Sequence, residues 1–258
     1  MTEGLCGRYF FYCGASAKSY CGNNPSVKNQ KIFDSSLYTR EPWALPRQLT
    51  KLEYDEVLAS MLPTREAAEM LLQDAEKCNP GPWGNHSRTA AHCAEKIAQA
   101  CGDMDANKAY ILGLLHDIGR KFGVRHLGHI SDGYTYMMTL GYDEVAKICL
   151  THSFNNQTLD EYIGKIDTTA EETALIKSQL QSVHFDEYDK LIQLCDALAG
   201  AEGVLDIELR MEDVKQRYGF YPKAKWDSNM GLKKHFENKT GNNIYAVVEQ
   251  ETFQPNIR

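Results

Sequence analysis

Apolar residues recur at helical spacing through most of this 258-residue chain, a pattern that favours an all-α fold over other fold classes. From Met61 onward apolar residues recur at intervals of three and four, and Gly or Pro residues separate the segments. Helices are predicted over about 64–78, 84–100, 105–118, 129–139, 143–151, 167–180, 186–201 and 228–237. A strand-like composition occurs at Ile244–Val248. We therefore predict an all-α helical bundle.

The chain divides into three predicted parts. Residues 1–60 contain Cys6, Cys13 and Cys21 and show no sustained helical period, so we expect an irregular or accessory N-terminal extension. Residues 61–205 hold most of the predicted helices and form the main domain. Residues 206–258 are expected to be a C-terminal helical extension packed on that domain.

Composition narrows the class of protein further. The net charge of −7 and the pI near 5.6 argue against a nucleic-acid polymer as the partner. No apolar run reaches the length of a membrane span, and the amino terminus is unlike a signal peptide. The eight cysteines include no Cys-x-x-Cys pair, and Cys93, Cys149 and Cys195 fall within apolar helical patterns. We expect a cytoplasmic protein with these cysteines in its core.

The dipeptide His116-Asp117 ends an apolar predicted helix. An ionised carboxylate buried there is costly unless a cation or a charged partner accompanies it. Neighbouring side chains at a helix end can reach one metal ion, although they point about 100° apart around the axis. The dipeptide alone is also compatible with a histidine at a helix C-terminus beside a solvated aspartate.

Two further residues share this apolar setting. His86 falls on the apolar stripe of its predicted helix, whereas His92 falls among polar positions and is predicted to lie at the surface. Asp196 is a carboxylate within an apolar helix and again needs a counter-charge, either an arginine or a metal ion.

His86-Ser87 before an Ala-rich helix, the run Gly113-Leu-Leu-His116-Asp117-Ile-Gly119, and the later Asp196 resemble the H…HD…D signature of the HD-domain superfamily. This is a superfamily of metal-dependent phosphohydrolases, and the resemblance covers roughly residues 61–205. It implies an all-helical fold, a divalent metal held by His86, His116, Asp117 and Asp196, and hydrolysis of a phosphoester or phosphoanhydride bond. The implied substrate is a nucleotide or another small phosphorylated metabolite.

His129 and His152 match the two extra histidines of the dinuclear branch of that superfamily. The resemblance then implies that Asp117 bridges two ions, one held by His86, His116 and Asp196 and the other by His129 and His152. His126 is an alternative to His129. Ser153, where members active on cyclic dinucleotides carry a second consecutive histidine, argues against that activity. Fe or Mn is expected first, with Zn, Co, Ni or Mg left open.

The implied mechanism uses a metal-activated water as the nucleophile. Arg120, Lys121 and Arg125 form a basic cluster that is interpreted either as a phosphate clamp or as a solvated loop. Asp132 is a candidate acid or base, or a support for His129. We assign catalysis to Asp117, Lys121 and Asp132, and binding of a small anionic phosphorylated substrate to Arg120, Lys121 and Arg125.

Two alternatives share the fold and stay open. One is a diiron oxygenase built on the HD domain, as in myo-inositol oxygenase. The other is a non-catalytic ligand-binding or regulatory HD module. Oligomerisation is compatible with either. Residues 1–60 are expected to be an accessory extension, or to result from a translation start assigned too far upstream. A protein that begins at Met61 is therefore expected to fold and keep its metal.

Overall fold

The computed structural model describes residues 61–249, and this part of the chain contains ten α-helices and no β-strand. The predicted all-α fold is confirmed. The helices are α1 Arg65–Cys78, α2 Trp83–Cys101, α3 Ala106–Leu115, α4 Gly128–Thr139, α5 Asp143–Thr151, α6 Ala170–Ser182, α7 Glu187–Leu198, α8 Ile207–Tyr218, α9 Lys223–Thr240 and α10 Ile244–Val248, with 3₁₀ helices at Ile118–Phe122 and Leu159–Glu161. The predicted extension of residues 1–60, with its three cysteines, lies outside the described residues, as do residues 250–258.

Helices α2 and α3 cross at the centre of the bundle, and small side chains at the crossing let their backbones approach closely. A Cβ atom on Gly113 of α3 would lie 2.8 Å from the Cα atom of Ala91 on α2. A glycine is needed here for close backbone approach rather than for an unusual backbone angle. Helix α7 packs on both α2 and α3. Cys93, Cys149 and Cys195 are fully buried with free thiols, so their predicted core placement is confirmed.

The C-terminal helices contact this core directly. Helix α9 packs against α7 and α2, and α10 packs against α2. Helix α8 was not predicted, and α9 begins five residues before its predicted start and ends three after its predicted end. The boundary at residue 205 stays a prediction. Among residues 61–249, no helix combines the length and apolar character needed to cross a membrane.

The segment Ile244–Val248 is helical despite its strand-like composition. Asn243 caps the helix by accepting a hydrogen bond from the Tyr245 amide, and Ile244, Val247 and Val248 are buried. Their spacing of three and four places them on the face that meets α2. His92 on α2 is half-buried and its Nε2 atom lies 3.2 Å from the Val248 carbonyl oxygen, so its predicted surface position was also wrong.

The N-cap of α6 is Thr169, two residues after the start of the helix predicted over about 167–180. Thr169 and Glu172 form a capping box, in which each side chain bonds the other residue's backbone amide. Asp167, the first residue of the predicted range, instead accepts hydrogen bonds from the amides of His126 and Gly128. It therefore ties the start of α6 to the start of α4, which carries one of the candidate ligands.

Candidate metal centre

Six residues at helix ends converge on one buried point, although they are spread over 111 positions of the sequence. Each lies in the first or last turn of a helix or directly beyond it. They are His86 on α2, His116 after α3, Asp117 before the 3₁₀ helix at 118–122, His129 on α4, His152 after α5 and Asp196 on α7. These are the six ligands predicted from the sequence.

One half of the cluster surrounds Asp196. Its Oδ1 atom lies 3.0 Å from the Nε2 atom of His86 and 3.7 Å from the Nε2 atom of His116. The rings of these two histidines are 5.3 Å apart between centroids. Two imidazoles and a carboxylate therefore face one another across a space that suits a single ion.

The other half surrounds Asp117. Its Oδ1 atom lies 3.1 Å from the Nε2 atom of His129 and 3.6 Å from that of His152. Asp117 belongs to two groups whose potential ligand atoms all lie within 4.8 Å of one another: one with His86 and His116, the other with His129 and His152. Asp117 is thus the residue that the two groups share.

The four histidines are all oriented in the same way. Each Nδ1 atom faces a backbone carbonyl oxygen: His86 faces Ala199, His116 faces Gly113, His129 faces His126 and His152 faces Cys149. A carbonyl can only accept a hydrogen bond, so each Nδ1 must carry the proton. In the neutral imidazoles every Nε2 lone pair then points into the cluster, the arrangement of metal-ligating histidines.

Among residues 61–249, two of the acceptor atoms at the centre face no hydrogen-bond donor. The Nε2 atoms of His129 and His152 are 3.4 Å apart. The Nε2 atom of His116 and the Oδ1 atom of Asp117 are buried without a hydrogen-bond partner in residues 61–249. Uncompensated acceptors of this kind are costly, and a divalent cation would compensate several of them together. The residues present therefore fit a metal, and mixed imidazole and carboxylate ligands suit first-row transition metals.

The charges of the cluster favour ionised carboxylates, and these carboxylates in turn outweigh burial and raise the pKa of His116. Burial by itself would raise the pKa of Asp117, but Arg120 and His129 outweigh it and hold that pKa well below its usual range. Burial would likewise raise the pKa of Asp196, but His116 and His86 outweigh burial and hold that pKa well below its usual range. Burial lowers the pKa of His152 to about 3, so this imidazole is neutral near pH 7.

The centre is open on the side of Asp196. Its side chain keeps 30% of its surface exposed, whereas those of Asp117 and His129 keep 6% and 4%. Asp196 therefore lies on the accessible side of the cluster, and the pair of His129 and His152 lies at its closed end.

The predicted basic cluster is divided among different partners. Arg120 Nε donates to Asp117 Oδ2, so this guanidinium lies at the centre. Lys121 instead bonds the Oδ2 atom of Asp74 on α1 at 2.7 Å and the Tyr136 hydroxyl at 3.3 Å. The structure therefore brings Arg120 into contact with Asp117, a candidate metal-ligating residue, whereas the Lys121 ammonium bonds Asp74 and Tyr136.

Arg125 and Asp132 pair with each other. Arg125 Nη1 lies 2.7 Å from Asp132 Oδ1, and its Nη2 atom lies 2.9 Å from Glu172 on α6. The second carboxylate oxygen of Asp132 is buried without a hydrogen-bond partner in the described chain, and burial raises the pKa of this group. Arg125 is thus held by two carboxylates, while Asp132 keeps one free oxygen a turn beyond His129.

His126, the alternative to His129, is absent from both ligand groups. Its ring contacts that of Tyr218 at 6.3 Å between centroids, and its carbonyl oxygen orients His129. It contributes to the centre through its backbone.

Sequence reasoning missed two sets of residues near the centre. Behind His152, a buried network links Lys147 to Asp189 at 2.6 Å and Asp189 to Thr151 at 2.7 Å, which anchors the end of α5. On the outer side, Lys225 of α9 donates to the carbonyl oxygen of Ser153 at 2.6 Å and to Asn155 Oδ1 at 2.8 Å. The alternation of polar and apolar residues gives no signal for either, since both depend on which helices pack together.

Fold and site together define an all-helical domain with a buried His/Asp cluster that is compatible with a divalent-metal site. A comparison with family models matches the HD domain to residues 83–201, a range that contains all six candidate ligands. The match confirms the predicted resemblance, and the HD domain is typical of a superfamily of the metal-dependent phosphohydrolase type. Searches of curated proteins and of solved structures gave no match.

Proposed function

We propose that this protein is a metal-dependent phosphohydrolase that cleaves a phosphoester or phosphoanhydride bond of a small phosphorylated metabolite or nucleotide. The observation that carries the proposal is the Asp117 carboxylate shared by two ligand groups within an HD domain. Ions held there would supply Lewis acidity and would lower the pKa of a bound water.

The ligands divide by position. We assign His86, His116 and Asp196 to the ion at the open side, and His129 and His152 to the ion at the closed end. Asp117 holds both. This arrangement uses every Nε2 lone pair of the cluster, because the Nδ1 atoms are already engaged by backbone carbonyls. We expect two ions per chain, Fe or Mn before other divalent metals.

Arg120 has two proposed tasks. Its bond to Asp117 Oδ2 keeps that carboxylate ionised and oriented toward both ion positions. Its remaining guanidinium donors are suited to bind a phosphoryl oxygen, for which planar, charge-assisted hydrogen bonds are strong. Lys121 and Arg125, assigned to the same task from sequence, would first have to leave Asp74 and the Asp132–Glu172 pair.

Asp132 is the proposed group for proton transfer. Its free Oδ2 atom can hold a proton for the leaving oxygen, and burial raises its pKa toward the range that such a role requires. Arg125 fixes the other oxygen and so sets the direction in which the proton can move.

The test combines metal analysis with a substrate panel. The purified protein is assayed for metal content, and for phosphate release from a panel of nucleotides and small phosphorylated metabolites with Mn(II) or Fe(II). We expect Asp117→Asn to lose both metal and phosphate release, and Asp227→Asn, at an exposed carboxylate on α9, to keep both.

Other results would refute the proposal. An iron pair with mixed-valence spectra and oxygen-dependent turnover, without phosphate release, would identify an oxygenase. Full metal content without turnover of either kind would identify a binding module. Unchanged metal content in Asp117→Asn would contradict the bridging assignment itself.

A further inference from the structure

Lys225 lies outside the stretch matched by the HD-domain family, yet its Nζ atom donates to the carbonyl oxygen of Ser153, the residue directly after the candidate ligand His152. We propose that Lys225 is a substrate-binding residue that holds an anionic phosphate oxygen beside the metal centre. The inference rests on the proposed function, because it assumes that the substrate carries a phosphate. It gives the C-terminal helix α9 a part in the site that the HD domain alone does not provide.

The position of Lys225 follows from two strong hydrogen bonds. Its Nζ atom donates to the Ser153 carbonyl oxygen, one residue beyond the ligand His152, and to Asn155 Oδ1. Asn155 in turn donates to Asn229, which donates to the hydroxyl of Tyr221. The ammonium is therefore fixed by a polar network rather than free to extend into solvent.

Lys225 differs from the predicted basic cluster in its charge balance. Arg120, Lys121 and Arg125 are each paired with a carboxylate. Lys225 has two neutral oxygen acceptors, and within residues 61–249 it forms no ion pair with a carboxylate. An ammonium has three donors, so one donor and the full positive charge are available to an anion.

The ammonium of Lys225 lies close to the candidate ligands, because Ser153 follows His152 directly in the chain. Burial lowers the pKa of Lys225 to about 8, and the carboxylates of Asp196 and Glu161 oppose this shift. Divalent ions at the centre would add positive charge there and favour an anion between them and Lys225.

Equilibrium binding of inorganic phosphate to the metal-loaded full-length protein tests the proposal. Lys225→Gln is the informative variant, because a glutamine amide can keep the hydrogen bonds to Ser153 and Asn155 while it removes the charge. Lys225→Arg keeps the charge. Lys223→Gln, at an exposed lysine on the same helix, is the matched control. Metal content is measured for every protein.

We expect Lys225→Gln to keep its metal and to bind phosphate about 10- to 100-fold more weakly, the usual effect of losing a charge-assisted hydrogen bond. Lys225→Arg should recover most of the affinity, and Lys223→Gln should match the parent. Phosphate affinity in Lys225→Gln within about twofold of the parent would overturn the proposal. Metal loss in that variant would overturn it too, since Lys225 would then act by supporting the loop after His152.

The two proposals can fail separately. Phosphate release from the substrate panel with an unchanged KM in Lys225→Gln would refute the role of Lys225 and leave the phosphohydrolase standing. Phosphate binding that depends on Lys225, without hydrolysis of any panel member, would refute the hydrolase and leave the anion site standing. Absence of saturable phosphate binding in the metal-loaded parent would refute the role of Lys225 directly.

Discussion

Gly119→Ala should disrupt the metal centre without touching a ligand. Gly119 lies two residues after Asp117, and a Cβ atom there would be 2.5 Å from the Gly133 amide nitrogen on α4 and closer still to the His129 carbonyl oxygen. Ordinary van der Waals contact begins near 3.4 Å, so the Gly133 contact alone requires a separation of about 0.9 Å, and the closer His129 carbonyl oxygen requires more. Both obstacles are backbone atoms, and no side-chain rotation can relieve the clash.

The separation acts directly on the bridging geometry. Asp117 Oδ1 and His129 Nε2 are 3.1 Å apart, whereas metal–ligand distances vary by only about 0.2 Å. We therefore expect Gly119→Ala to lose the ion held by His129. Overpacking of this kind costs about 1–3 kcal/mol, which corresponds to a melting temperature lower by about 2–10 °C.

Metal analysis per chain and calorimetry, each with and without chelator, measure both effects of Gly119→Ala. Gly231→Ala on α9 is the control, since a Cβ atom there meets nothing within 4 Å and alanine favours a helix interior by about 1 kcal/mol. If Gly119→Ala kept two ions and melted within about 1 °C of the parent, the close-approach reasoning would be refuted.

Two further predictions concern the surroundings of His152. Asp189→Ala removes the partner of Thr151 and one partner of Lys147, and should lower the free energy of unfolding by about 2–3 kcal/mol. Chemical denaturation measures this loss, and an unchanged midpoint would contradict the anchoring role. In metal-stripped protein the free energy of unfolding should fall as the pH drops from about 6.5 toward 3, by up to about 1.4 kcal/mol per unit. The reason is that His152 stays neutral when folded, with a pKa lowered to about 3 by burial, but takes up a proton when unfolded. His152→Gln should flatten this dependence, and an identical slope would contradict the assignment.

The convergence of the six candidate ligands could be predicted because they share local constraints. Each is a histidine or aspartate at the end of an apolar helix, where burial of a polar group needs a compensating cation. The order of the residues in the chain then matched a known signature. The structure adds what order cannot give: the Nδ1 bonds to backbone carbonyls, which fix the direction of every Nε2 lone pair.

Some local features were mispredicted where tertiary packing decided between alternatives. Ile244–Val248 is rich in β-branched residues, yet an Asn243 cap and burial against α2 make it helical. Asp167 and Thr169 are both suitable N-cap residues, and the capping box with Glu172 selects Thr169. In each case the composition allowed two structures, and a neighbour determined the one adopted.

Candidate substrate-binding residues are harder to predict than candidate metal ligands. Whether a basic side chain is free to bind an anion depends on partners far away in the sequence. Lys121 is neutralised by Asp74 and Arg125 by Glu172, each 47 positions distant. A basic cluster near a metal signature therefore says little about which cations remain free to meet a phosphate. Lys225 has no such cluster around it, and its position depends on the packing of α9 against α7 and α2. We therefore expect Lys225, a cation held by neutral acceptors beside the candidate metal centre, to meet a phosphate more readily than Lys121 or Arg125.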